Sequence, residues 1–147
     1  MVEMKRILVV DDDLGILDST RQILEIDGYE VDTAATAGEG LKKIESSFYN
    51  LALFDIKLPD MEGTELLDRA HKIRPAMKKI MVTGYASLEN SVHSLNSGAD
   101  AYILKPVDPE MLLAKVKEKL DEQDRDTAIS GEKVAEFLEE KLLNIRR

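Results

Sequence analysis

The sequence predicts an α/β protein, a doubly wound parallel sheet of five strands with the (βα)5 pattern. Three observations carry this. Short β-rich runs alternate five times with amphipathic stretches. Runs such as Ile7 to Val10 and Ile80 to Val82 are continuously apolar rather than alternating, as expected of parallel strands covered on both faces. Right-handed crossovers between such strands then place helices on both sides of one sheet. The chain of 147 residues is about one domain long and needs no disulfide or metal staple to bury a core.

In chain order, RILVV (6–10) feeds a helix from Leu14 to Asp27. Ile16, Leu17, Thr20, Ile23 and Leu24 mark one face of that helix, and Asp27-Gly28 is its stop signal. EVDTA (30–34) feeds Gly38 to Ser46, and LALF (51–54) feeds Glu62 to Ile73. KIMV (79–82) feeds Leu88 to Ser97, a thin fourth helix with Leu88, Val92 and Leu95 among Ser, Asn and Gly, as expected of a weakly held, movable element. AYIL (101–104) feeds Pro109 to Gln123. From about Asp121 to Ser130 the chain loses its apolar periodicity. The expected organisation is therefore a main domain over 1–122, a polar linker over 123–130 and a short amphipathic helix over 131–147. Val134, Phe137, Leu138, Leu142 and Ile145 form the stripe of that last helix, and Ser130 would be its N-cap. A helix so short is marginal alone, so its stripe needs a partner surface.

Composition narrows the function classes. A formal net charge of -9 argues against a nucleic-acid surface, which needs clustered cations to displace counterions. No apolar run approaches the roughly 20 residues of a membrane span. Lys5 and Arg6 precede too short an apolar stretch for a secretory signal, so a cytoplasmic location is the default expectation. Without cysteine there is no disulfide framework, thiolate metal site or thiol nucleophile.

In a doubly wound sheet the loops after the strand C-termini share one edge, where ligands bind. Four of the five strand ends are chemically loaded here: Asp11, Asp12 and Asp13 after the first, Asp55 after the third, Thr83 after the fourth and Lys105 after the fifth. Asp11, Asp12 and Asp55 would converge, an arrangement of like charge that a hard divalent ion resolves. Mg2+ is the natural candidate, because it binds through one or two carboxylates and keeps waters for a phosphate-bearing substrate. Lys105 suits a phosphoryl oxygen or the third carboxylate, Thr83 adds a hydroxyl, and Gly84 leaves the backbone open. With no histidine or serine at a loaded strand end, carboxylate is the available nucleophile. Asp55, alone between Phe54 and Ile56, is the better candidate than the metal-holding pair Asp11 and Asp12. Singly each residue has a plain reading: Asp13 as a helix N-cap, Asp11 and Asp12 as caps or solvated acids, Lys105 as a surface lysine, Thr83 as a strand residue. Their conjunction at matching strand ends favours a site. His71 and His93 are read as solvated helix faces.

ILVVDDD at 7–13, LALFDIKLPDMEG at 51–63, MVTGYAS at 81–87 and GADAYILKPVD at 98–108 closely resemble, in order and spacing, the receiver domain of two-component response regulators over about residues 4 to 122. The resemblance implies a flavodoxin-like sheet with strand order 2-1-3-4-5. It makes Asp55 the phosphoacceptor, taking a phosphoryl group from a sensor histidine kinase or a histidine phosphotransfer protein. It implies Mg2+, with Mn2+ as a substitute, held directly by Asp12 and Asp55, through water by Asp11, and by the backbone carbonyl of Lys57. It gives Lys105 to the phosphoryl group, a cis bond to Lys105–Pro106, and phosphoryl-facing backbone to Lys57 and Gly84. Thr83 and Tyr102 become a switch pair that reshapes the surface of the fourth helix, fifth strand and fifth helix. Such a domain is a signalling module that assists its own phosphotransfer rather than an enzyme. Lys57 and Tyr85 stand where the family tunes hydrolysis, and neither is a water-orienting acid or amide, so slow to moderate autodephosphorylation is expected.

Three other readings are weighed. A haloacid-dehalogenase-like phosphotransferase would use Asp11 and Asp13 as its D-x-D pair, but Gly15 stands where that pattern wants Thr or Val, and its late acidic pair is missing near Lys105. A pseudo-receiver would bind partners without phosphorylation, but such proteins lose acids or the lysine, and here all are present. A dinucleotide module fails because DDDLGI lacks the glycines that cradle a phosphate. Output goes to a downstream effector protein or an absent output domain. Three arrangements stay open: a stand-alone receiver, a piece of a longer regulator, or a receiver whose tail supports a phosphorylation-dependent homodimer. Direct contact with nucleic acid or membrane is not expected.

Overall fold

The structure is a computed structural model that describes residues 4–84 and 97–146. The expected helix from Leu88, together with Tyr85 and His93, lies outside the described residues. The elements run β1 (Arg6–Val10), α1 (Leu14–Ile26), β2 (Glu30–Ala34), α2 (Ala37–Ser46), β3 (Leu51–Asp55), α3 (Gly63–Ile73), β4 (Lys78–Thr83), β5 (Ala101–Leu104) and a long C-terminal helix (Pro109–Arg146). The sheet is parallel throughout, in the order β2-β1-β3-β4-β5. This is the doubly wound α/β architecture with five parallel strands that the alternation implies.

Each apolar strand is sorted residue by residue to two cores, because successive side chains leave a strand on opposite faces. Leu8, Val10, Ala52, Phe54 and Met81 pack with Ile44, Leu66, Leu67 and Ala70 of α2 and α3. Ile7, Val9, Leu51, Leu53, Ile80, Val82 and Ile103 pack with Leu17 and Leu24 of α1 and with Leu112, Val116 and Leu120 of the C-terminal helix. β3 is buried along its whole length, while the edge strands β2 and β5 are partly exposed. α1 stops at Asp27-Gly28 as expected. Gly28 adopts φ +93, and the amides of Gly28 and Tyr29 turn back onto Glu25 O and Leu24 O, closing the last turn as a left-handed glycine does.

The structure corrects the reading of 123–130 as a linker. The helix that begins at Pro109 runs unbroken to Arg146, so Ser130 is an interior residue and not an N-cap. Lost apolar periodicity reports a solvated surface, not an irregular backbone; this stretch has no proline, and its residues cost a helix little when exposed. Its start is tied to the body: Gln123 Nε2 donates to Asn50 O at 2.7 Å and Ala76 O at 2.9 Å, Lys5 Nζ meets Asp124 at 2.6 Å, and Lys78 Nζ meets Asp126 at 3.3 Å. Beyond that the helix projects, with Val134, Phe137, Leu138, Leu142 and Ile145 all more than half exposed. No helix among the described residues is long and apolar enough to cross a membrane.

Candidate functional site

The three consecutive aspartates after β1 take separate tasks. Asp11 N continues the ladder to Ala34 O at 3.1 Å, and its carboxyl group is buried. Asp13 Oδ1 accepts from Ile16 N at 3.1 Å and caps α1, while Asp13 N donates to Asp11 Oδ1 at 3.0 Å. Asp12 stays exposed at the pocket rim. Asp55, the last residue of β3, is 8% exposed, and one carboxylate oxygen each from Asp11, Asp12 and Asp55 lies within 4.8 Å of the others. The parallel register that ends neighbouring strands at one level makes this convergence.

Lys105 follows β5 and closes the group, with Nζ 2.8 Å from Asp11 Oδ2 and 3.2 Å from Asp55 Oδ2. Its own amide donates to Thr83 O at 2.8 Å, so the lysine is anchored to the end of β4. Thr83 is buried there, and Gly84 is exposed beside it, where a Cβ would stand 4.0 Å from Lys105 Cβ, an ordinary contact. The Lys105–Pro106 bond is cis, as the resemblance implies. Tyr102 is half-buried on β5 against the α2/α3 core.

Burial, together with the charge of Asp11, raises the Asp55 carboxyl above the ordinary carboxylate range, and Lys105 only partly opposes this. For Lys105, burial pulls the amine down, but Asp11 and Asp55 outweigh it and leave the ammonium held above its usual value. One cation therefore faces two buried carboxylates and a third at the rim. The donor set is hard, anionic oxygen at one point, which suits a small divalent ion and suits neither a soft metal nor a second anion. Adding Mg2+ is expected to raise the unfolding free energy by about 1.4 kcal/mol when the free ion stands at ten times its dissociation constant. Thermal melts with and without chelator measure it.

The loop leaving Asp55 is tightly closed. Gly63 N donates to Ile56 O at 2.6 Å, Lys57 bridges Glu62, and Lys57 N lies 3.4 Å from Asp55 Oδ1. A Cβ on Gly63 would stand 2.1 Å from Asp55 O, so only glycine lets the backbone pass beneath the acid. That requirement went unread in the sequence, although the glycine of LPDMEG was visible. His71 is not on a solvated face: it is half-buried, with Nδ1 3.1 Å from Nζ of the fully buried Lys79. His71 reads as solvated because no companion ligand stands near it in the sequence; its partner lies on β4, the next element of the chain.

A doubly wound sheet that gathers three acids and a lysine at the carboxyl edge, with Asp13 diverted to capping, defines an aspartate-based phosphoacceptor domain rather than a D-x-D phosphotransferase. The chain belongs to the response regulator receiver domain family, whose model matches residues 7–117. Among solved structures it is similar to a CheY-like response regulator receiver domain protein from Methanospirillum hungatei JF-1, with 77% identity, a TM-score of 0.83, and coverage of 84% of this chain and 99% of that one. It is also similar to the response regulator TrrA from Thermotoga maritima, crystallised with Mg(2+)-BeF, with 37% identity, a TM-score of 0.73, and coverage of 79% of this chain and 99% of that one. Curated relatives include the transcriptional regulatory protein GlrR of Escherichia coli, 30% identical over 116 residues, and DltR of Streptococcus agalactiae, 35% identical over 112. Those alignments cover 79% and 76% of this chain but only 26% and 50% of the relatives, so the chain spans a quarter to a half of their length.

Proposed function

We propose that Asp55 accepts a phosphoryl group from a phosphohistidine donor, carried by a sensor histidine kinase or a histidine phosphotransfer protein. An oxygen of Asp55 attacks phosphorus, the new O–P bond forms as the N–P bond breaks, and the bonding pair returns to the imidazole nitrogen. Little covalent assistance is needed, because such transfer depends on alignment and charge neutralisation. The observation that carries this reading is the convergence of Asp11, Asp12 and Asp55 around one point with Lys105 Nζ bridging two of them.

Mg2+ would be held by Asp12, Asp55 and the Lys57 carbonyl, with Asp11 acting through water, and Mn2+ would substitute. Bound there, the ion neutralises the acids and the transferred oxygens. Lys105, already paired with Asp55, follows the charge onto the phosphoryl group. Gly84 and Lys57 supply backbone, and Thr83 and Tyr102 respond. The new group carries about -1.5 to -2 charge and offers fresh acceptor oxygens; the Thr83 hydroxyl moves toward it, and the ring of Tyr102 follows inward. The surface around β5 and the segments on either side then changes and is read by an effector or an output domain elsewhere, in the cytoplasm. Incubation with Mg2+ and acetyl phosphate, followed by borohydride reduction, tests the reading: homoserine at position 55 supports it, and label on Asp11 or nowhere overturns it.

Thr83→Ala is expected to keep phosphoacceptance within about threefold while losing most of the switch, since the hydroxyl reports the phosphoryl group rather than transferring it. Tyr102 resonances, followed with beryllofluoride and Mg2+, measure the loss.

A further inference from the structure

The tip of the loop that follows the phosphoacceptor leaves its own hairpin. Asp60 Oδ1 accepts from Ala37 N, and Asp60 Oδ2 from Gly38 N, both at 2.9 Å. These are first-turn amides of α2, donors that no carbonyl within the helix can serve. The Gly38 and Ala37 bonds hold the Asp60 carboxyl below the usual carboxylate range, as expected of an anion at a helix N-terminus. α2 already has a cap of its own, because Thr36 Oγ1 accepts from Glu39 N at 3.1 Å. Asp60 is exposed and adds nothing to the core. What it adds is an anchor to α2 for a loop whose base is closed where Gly63 N meets Ile56 O and Lys57 bridges Glu62.

We infer that Asp60 is a positioning residue for the phosphoryl-transfer pocket: by clasping the loop to the N-terminus of α2, it holds the Lys57 backbone beside Asp55. The inference rests on the proposed role of Asp55 and of the Lys57 carbonyl. Because coupling is reciprocal, filling the pocket must also bear on the Ala37 and Gly38 amides through the same carboxylate. α2 thereby senses the state of Asp55, although it contributes no residue to the site.

The test compares wild type with Asp60→Ala, Asp60→Asn and Thr36→Ala, the last removing the helix's own cap without touching the loop. Calorimetric Mg2+ titration is expected to show affinity about tenfold weaker for Asp60→Ala, the usual scale for losing a group that orients a metal ligand. Asp60→Asn, keeping one acceptor, should fall between, and Thr36→Ala should stay within about twofold of wild type. Phosphorylation by acetyl phosphate should slow for Asp60→Ala at limiting Mg2+ and recover at saturation. The Ala37 and Gly38 amide resonances should shift with Mg2+ in wild type and stay still in Asp60→Ala. Unchanged Mg2+ affinity in Asp60→Ala, or an equal loss in Thr36→Ala, overturns the clasp alone. A wild type that binds no Mg2+ overturns the reading of the pocket and the clasp with it.

Discussion

Asp55→Asn is expected to abolish phosphoryl acceptance while leaving the fold intact. The amide occupies the same volume at the end of β3, and a neutral group relieves the repulsion that, after burial, raises the Asp55 carboxyl. Lys105 keeps Asp11 at 2.8 Å as a partner, so its ammonium is not stranded. An amide oxygen is a poor nucleophile, and the neighbouring carboxylates among the described residues are otherwise engaged: Asp11 accepts from Asp13 N and pairs with Lys105, Asp13 is committed to α1, and Asp12 is exposed at the rim. Labelling from a histidine donor should fall by at least about a hundredfold, the scale on which removing the acting nucleophile is felt. Mg2+ binding should weaken as well, since one of three charges is gone. Radiolabel transfer and calorimetry on the same preparation separate the two effects, and full labelling of Asp55→Asn would remove the basis of the proposed function.

Lys79→Met is expected to stabilise the protein at neutral pH. Lys79 is fully buried on β4, and its amine is pushed down from 10.5 to about 8, mainly by burial. A depression of that size corresponds to about 3 kcal/mol of penalty for keeping the ammonium inside. Nζ donates to Met77 O at 2.6 Å and Pro75 O at 3.5 Å and approaches His71 Nδ1. Methionine fills similar space but leaves those acceptors unpaired, so the net gain should be about 2 kcal/mol at pH 7. Between about pH 8 and 10.5 the unfolded chain still holds a proton that folded Lys79 has released, so this group makes stability rise with pH through that window and imposes a constant penalty below it. The advantage of Lys79→Met should therefore shrink above pH 8, pass through zero and become a small deficit by about pH 10.5, where the unpaired acceptors dominate. Urea unfolding at pH 7 and pH 10 measures this, and a pH-independent difference would show that packing, not charge, sets the effect.

The strands and most helix limits were legible because they depend on local pattern. Burial on both faces leaves a continuous apolar run, and helices leave a 3.6-residue stripe, both visible without knowing the partners. Asp11, Asp12, Asp55, Thr83 and Lys105 were legible for a topological reason: parallel strands with right-handed crossovers deliver every strand end to one edge. The same reasoning failed at 123–130, where polarity was read as a break although exposure alone explains it.

The amino-acid sequence by itself determined the alternation, the edge on which chemistry gathers and the residues placed there, because each follows from spacing along the chain. Asp13 was legible as the cap of α1, but only the tertiary structure decided that Asp11 and Asp55 share Lys105, that His71 meets a buried Lys79, and that Asp60 reaches across to α2. These are contacts between a few polar atoms on separate elements. Their energies depend on distances of about 3 Å, which residue spacing within one element does not encode.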